Sequence, residues 1–323
     1  MRKVLITGIT GQDGSYLAED FIKKGWEVHG IVRRQAIENP EIALKNIQSV
    51  LPALQLHIGS MENQLFIFKT INKCMPDQIY HLASASFVSY DFSDEENIIR
   101  DNFAATHNLF SAVREIKPNC KIYFAGSSEM FGEASHEPQH ERTPFNPRSI
   151  YGISKLAAYH LAKNYRKNHN LFIATGILYN HESPRRGGQF VTQKIATQAA
   201  KIKLGLAKAL EVGNLEAERD WGYAPEYVDA MQRMMDQKIA SDYVIATGKT
   251  SKVIDIVKIA FACVGLDYKK YLKVKKEHFR PKEQIRLRGN PRKAFKQLKW
   301  RAKKPLREII EEMVFTKIQE LKT

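Results

Sequence analysis

The chain opens on Lys3–Thr7, a short β-branched, apolar run that ends at a glycine, as a strand buried on both faces would. After Gly8-Ile9-Thr10-Gly11-Gln12-Asp13-Gly14, the stretch Ser15–Lys24 sets Leu17, Ala18, Phe21 and Ile22 at helical spacing and stops at Gly25. The same beat then repeats. Apolar strand candidates follow at Val28–Val32, Leu54–Ile58, Gln78–Ala83, Ile122–Ala125 and Leu171–Leu178. Helix-length segments at Met61–Asn72, Asn102–Ile116 and Ile150–Asn168 lie between most of them. Such alternation predicts right-handed crossovers and an α/β fold with a doubly wound parallel sheet. Beyond Asn180 the pattern is less regular and richer in Gly, Arg and Pro, which predicts a smaller C-terminal lobe over the carboxyl ends of the strands. Asp242–Thr247 is strand-like again and is expected to return to the main sheet.

Composition narrows the class. With 43% hydrophobic and 26% charged residues, a disordered or fibrous chain is excluded. The apolar runs stop well short of the ~20 residues that span a bilayer, so no membrane segment is expected. The charged start breaks at Gly8 before any signal core forms, which points to a cytoplasmic protein. Cys74, Cys120 and Cys263 are odd in number and far apart, so they read as reduced thiols. No metal is expected either: Pro138 stands between His136 and His140 and disfavours the helix that would converge them. The balance of 50 Lys and Arg against 35 Asp and Glu gives +15, but it is uneven. From Tyr268 onward 19 basic residues face 6 acidic ones, a net +13, which leaves about +2 for everything before. That distribution argues against a chain-wide nucleic-acid surface and puts anion docking, or a solvated basic face, in the last segment. An amphipathic helix pattern there, Leu306, Ile309, Ile310, Met313 and Val314, itself needs a polar outside.

Candidate chemistry begins at the first turn. Gly8, Gly11 and Gly14 between a strand and a helix let the backbone approach a pyrophosphate, whose charge then meets the helix N-terminus. Gln12 and Asp13 share that turn and are taken with it as cofactor contacts. The second strand ends Ile31-Val32-Arg33-Arg34 rather than in the acid that would bind a ribose hydroxyl. Two guanidiniums there suit a 2′-phosphate, so the expected cofactor is NADP. The expected division is a Rossmann domain over 1–178 and a mainly substrate-binding lobe over 179–323, with about 224–260 rejoining the first.

Tyr151-Gly152-Ile153-Ser154-Lys155 places a phenol and an ammonium four residues apart, on one side of a helix. The ammonium is expected to lower the phenol's pKa towards working pH, fitting Tyr151 to take a proton from a sugar hydroxyl. Ser127 stands at the end of the Ile122–Ala125 strand. Glu129 follows two residues later, a carboxylate suited to remove a proton alpha to a new ketone.

Ser127, Tyr151 and Lys155 with the glycine turn resemble the extended short-chain dehydrogenase/reductase superfamily. The stretches Thr7–Leu17, Thr143–Ser149, Tyr179–Gly187, Arg219-Asp220-Trp221-Gly222 and Phe279–Glu283 are similar to the GDP-mannose 4,6-dehydratases, nearly to Trp300. The resemblance implies a redox-neutral lyase: Tyr151, with Lys155 and Ser127, deprotonates the sugar's 4-hydroxyl, and Glu129 removes the carbon 5 proton and delivers one to the departing 6-hydroxyl. It also implies GDP-mannose as substrate, GDP-4-keto-6-deoxymannose as product, and Asn180, Arg186, Lys194, Arg219, Arg280 and Glu283 as nucleotide-sugar contacts. A homo-oligomer, tetramer or dimer, is implied too. Ser60-Met61 replaces the acid that often meets the adenine amine, leaving Ser60 as the contact. Three other readings stay open: a 4-ketoreductase, which needs no carbon 5 base; a dehydratase of a related sugar such as GDP-heptose; and a non-catalytic NADP-binding or basic interaction protein.

Overall fold

The strands form where apolar side chains alternate between two packed faces. In the computed structural model, described over residues 1–85, 92–275, 277 and 286–322, seven strands make one sheet. They are β1 (Lys3–Thr7), β2 (Glu27–Val32), β3 (Leu54–Ile58), β4 (Gln78–His81), β5 (Lys121–Ser127), β6 (Ile173–Leu178) and β7 (Asp242–Ile245). All neighbours are parallel, in the order β7-β6-β5-β4-β1-β2-β3. The order reverses between β1 and β4, so their carboxyl ends open a crevice. Val4, Ile6, Tyr80, Tyr123 and Ala174 face one core, while Leu5, Ile79, Ile122, Phe124 and Ile173 face the other. That period of two explains why the strand runs read as continuously apolar.

Among the described residues, the helices of ten residues or more are α1 (Gln12–Lys23), α2 (Gln64–Cys74), α3 (Ala105–Ile116), α4 (Ile150–Asn168), α5 (Val191–Lys203), α6 (Ala224–Met235), α7 (Val253–Ala262) and α8 (Leu306–Lys322). Two of the boundaries that differ from expectation do so for local reasons. The second helix starts at Gln64 rather than Met61 because Asn63 caps it, its side chain accepting from Phe66 N at 3.0 Å. The Asn102 segment is no fresh start: a helix over Phe92–Ile99 runs through a wide π-turn at Arg100–Ala104 into α3.

After Asn180 the chain is more regular than its composition suggests. Ile195 and Ala199 of α5, Ile256 and Phe261 of α7, and Ile310 and Met313 of α8 close a third core. Met231 and Met234 of α6 instead join the core of the main sheet, as do Ala294, Leu298 and Trp300. Short ribbons carry the chain across the crevice: Asn180–Glu182 pairs with Trp221–Tyr223, and Glu218–Arg219 with Ser251–Lys252. No helix among the described residues is long and apolar enough to cross a membrane.

Candidate active site

A cavity of about 960 Å³ lies over the carboxyl ends of the strands, bounded by the sheet on one side and by α5 and the 212–221 and 253 wall on the other. Its floor is the glycine turn. Gly8 has φ +73°, and a Cβ there would stand 2.9 Å from Ala83 N. A Cβ on Gly14 would fall 2.3 Å from Gly8 O, so only a glycine lets α1 rise this close to the turn. The open cradle and the α1 N-terminus fit a dinucleotide's pyrophosphate.

Two turn residues also tie the turn to the opposite wall. Gln12 donates from Nε2 to His181 O at 3.0 Å and accepts from Ser183 Oγ at 2.9 Å. Asp13 Oδ2 sits 2.8 Å from His181 Nε2. Both line the cavity, yet their polar atoms are spent on the segment after β6, so they hold the two walls together. His181 also contacts Tyr179 O through Nδ1 at 2.7 Å and stacks on Tyr227. Burial opposes its charge, but Asp13 outweighs burial and its pKa is raised; Asp13, half-buried, is held low against desolvation by His181.

At the end of β2, Arg33 lines the cavity and pairs with Asp101 at 2.7 Å. Arg34 does not line it: the residue begins an exposed helical turn, paired to Glu38 across one turn. Ser60 lines the cavity and accepts from Glu62 N at 3.2 Å. Glu62 brings a carboxylate to the same corner, two residues beyond where the sequence reading looked for one.

The chemistry end gathers on β5 and α4. Ser127 closes β5, and a 3-10 turn over Ser128–Met130 turns Glu129 into the cavity. Ser127 Oγ accepts from Glu129 N at 3.2 Å. Ser149 caps α4 by accepting from Gly152 N at 3.1 Å, which puts Tyr151 in the first turn. Gly152 is required there, since a Cβ would meet Glu129 O at 2.6 Å. Tyr151, Lys155, Ser127 and Glu129 all line the cavity.

The acidities run opposite to the expectation. Burial pushes Tyr151 up to about 12, with the Glu129 charge adding to it and the Ser127 hydroxyl and Arg186 charge easing it. Lys155 is buried, pushed down to about 7, and donates to Ala125 O at 2.9 Å. Its ammonium is thus held by the backbone of β5, where desolvation outweighs any lowering of the phenol.

A buried residue absent from the sequence reading supports this arrangement. Asn102, in the π-turn, accepts from Ser84 Oγ at 2.8 Å and Ala85 N at 3.0 Å, and donates to Ser154 Oγ at 2.9 Å. It joins the loop after β4 to α4, and Ser84 in turn eases the ionisation of Tyr151. Its signal was an amide among apolar helix positions.

On the far wall, Asn180, Lys194 and Arg219 line the cavity together with Val212, Asn214 and Trp221. Trp221 is mostly buried, so it is wall and packing group at once, and Trp300 is a packing group. Arg186 pairs with buried Glu182 at 3.2 Å and lies over the Phe190 ring at 3.6 Å. Its charge acts on both Asp13 and Tyr151, which puts it at the junction of the glycine turn and the catalytic end. Arg280 and Glu283 lie outside the described residues. Among the described residues no cluster of His, Cys, Asp and Glu has the make-up of a metal site.

Comparison with known proteins agrees with this layout. The family profile described as GDP-mannose 4,6 dehydratase matches residues 5–313. GDP-mannose 4,6 dehydratase 1 of Arabidopsis thaliana is 40% identical over 97% of this chain and 89% of its own length. GDP-mannose 4,6 dehydratase of Homo sapiens is 40% identical over 99% of this chain and 92% of its own. Among solved structures, UDP-glucuronic acid 4-epimerase from Bacillus cereus, in complex with UDP-glucuronic acid and NAD, superposes with a TM-score of 0.87 at 22% identity, covering 99% of each chain. That likeness is one of fold.

Proposed function

This chain belongs to the GDP-mannose 4,6-dehydratase family, and from that premise we propose that Tyr151, Lys155, Ser127 and Glu129 carry the dehydration of GDP-mannose to GDP-4-keto-6-deoxymannose. The observation that carries the assignment is a single cavity walled by the glycine turn, by those four side chains and by Lys194 and Arg219. A nicotinamide dinucleotide, which we take to be NADP, would supply the reversible hydride chemistry that the reaction needs. The glycine turn would hold its pyrophosphate, and Arg33, with Ser60 nearby, its adenosine end.

Tyr151 is the base for the sugar's 4-hydroxyl proton, and the Ser127 hydroxyl steadies the developing carbonyl oxygen. A phenol resting near 12 needs help to ionise, and Arg186, Ser127 and Ser84 are the groups that lower it. The 4-ketone acidifies the proton on carbon 5. Glu129 removes that proton and passes it to the 6-hydroxyl, which leaves as water; carbon 5 regains a proton as carbon 6 is reduced, and the one Tyr151 took from the 4-hydroxyl closes the count. A reductase would have no use for this carboxylate, which favours the dehydratase reading over a 4-ketoreductase. Lys194 and Arg219 would neutralise the substrate's diphosphate, with Asn180 beside the sugar. Arg280 and Glu283 remain assigned by resemblance.

In this reading residues 1–178 hold the cofactor, 179–323 mainly the nucleotide sugar, and 224–260 is shared. Its β7 and α6 lie with the sheet, and α7 with the third core. Exposed Ile99, Phe103 and Ile153 on neighbouring helices support a homo-oligomer, and three free thiols support a cytoplasmic setting.

The test is mass spectrometry of GDP-mannose incubated with the protein. The expected product is lighter by one water, and Glu129→Gln is expected to abolish it while cofactor and GDP-sugar still bind, a loss of about 100-fold or more. Unchanged product formation in Glu129→Gln would remove Glu129 from its role; no loss of water by the wild type would remove the whole assignment.

A further inference from the structure

Four charged side chains meet at the cavity mouth beyond β2. Arg33 Nη2 lies 2.7 Å from Asp101 Oδ2, and Arg100 Nε lies 3.2 Å from Glu62 Oε2. The carboxyls of Glu62 and Asp101 face each other: their contact raises Glu62, while Asp101 is held low, against burial, by Glu62 and Arg33. Arg33, Glu62 and Asp101 all line the cavity. The two partners of the first pair are unequal in freedom, the Arg33 side chain being 64% exposed and that of Asp101 only 14%. Asp101 reaches this corner from the π-turn between the helices before and within α3, far from β2 in sequence.

A guanidinium at the end of the second strand is the group a 2′-phosphate would seek, and a carboxylate there is what a ribose 2′-hydroxyl would seek. Here the cation comes from β2 and the carboxylate from the π-turn, in contact with each other. We propose that Asp101 is a specificity-determining residue for the cofactor: it occupies Arg33 and thereby restrains this chain's preference for a 2′-phosphorylated dinucleotide over an unphosphorylated one. A phosphate must take Arg33 from Asp101. A ribose hydroxyl meets no such obstacle and has the carboxylate to donate to. The inference rests on the NADP reading above, and it concerns a residue that lies outside the glycine turn and the β2 end.

The test is a set of dissociation constants for NADP+ and NAD+, read by calorimetry on the wild type, Asp101→Asn, Arg33→Ala and the double variant. Asp101→Asn is expected to tighten NADP+ binding by about tenfold, with NAD+ unchanged or weaker, and the gain is expected to shrink in high salt. In the Arg33→Ala background the gain is expected to vanish, because the two residues act as a unit. An unchanged NADP+/NAD+ ratio in Asp101→Asn, or a gain that survives the loss of Arg33, overturns the proposal. A wild type with no preference for NADP+ whose ratio still rises in Asp101→Asn overturns the NADP reading alone and upholds Asp101. Should the amide variant misfold, Asp101→Ser gives the same readings.

Discussion

At the scale of single residues, what the sequence shows depends on how far away a side chain's partner lies. Tyr151 and Lys155 are legible because a four-residue spacing puts both on one side of a helix, and both do line the cavity. Gln12 and Asp13 are not, because the groups they bind lie 168 to 171 residues further along the chain. The Asp13–His181 pair has its own signature in pH. Asp13 is held below its ordinary 3.8 and His181 above its ordinary 6.5. The carboxylate therefore contributes stability above 3.8, lost as pH falls through its lowered value. The imidazole contributes below 6.5, lost as pH rises through its raised value. The pair is at full strength between those two limits. Asp13→Asn, which leaves a buried imidazole without its counter-charge, is expected to cost about 3 kcal/mol there and progressively less on the alkaline side. Denaturant titrations of wild type and variant across pH check this, and a difference that stays flat through the alkaline limb counts against a working ion pair.

At the scale of elements, legibility follows the period. Strands of the central sheet are readable because both faces are apolar; α5 is less so, since it packs through Ala196 and Ala199 as much as through Ile195 and Ile202 and so shows a weak apolar stripe. The π-turn at Arg100–Ala104 has no sequence mark beyond a buried Asn102, yet it joins the loop after β4 to α4. The glycine turn is legible as a motif, and the structure adds a ranking among its glycines. A Cβ on Gly14 meets Gly8 O at 2.3 Å and Ile9 Cα at 2.7 Å, both backbone atoms that cannot step aside, whereas one on Gly11 meets only Gly8 O at 3.2 Å. Gly14→Ala is accordingly expected to push α1 off the turn, costing about 1–3 kcal/mol of stability and most of the dinucleotide affinity. Gly11→Ala is expected to be the milder change on both counts. Thermal unfolding with cofactor titration measures both, and equal damage at the two positions would mean that the close approach of α1 is not what the turn is built for.

At the scale of the whole molecule, the sheet cores and the third core meet around one cavity, and the charge distribution bears on what enters it. The basic C-terminal segment looks like a surface in its own right from composition. A small part of it is paired by contacts that only folding creates: Arg286 with Glu218 at 2.7 Å, Arg288 with Glu137 at 3.0 Å, Arg307 with Glu311 at 3.2 Å, and Lys304 with Glu312. Two of those acids, Glu137 and Glu218, lie before residue 268, so the segment's surplus is partly spent on holding it to the rest of the chain. Ion pairing leaves the sum unchanged, and the whole chain keeps a net charge of +15 around a cavity whose far wall carries Lys194 and Arg219, and whose substrate carries a diphosphate. Long-range attraction acts on encounter and is screened over about 8–10 Å at physiological salt, whereas proton transfers inside the cavity are not. Raising ionic strength from roughly 0.05 to 0.5 M is therefore expected to lower kcat/KM for GDP-mannose several-fold while kcat stays within about twofold, and Lys194→Gln is expected to flatten that slope. Initial rates across a salt series separate the two constants, and a kcat/KM indifferent to salt would mean that the basic surplus serves the packing of the C-terminal segment and not the capture of substrate.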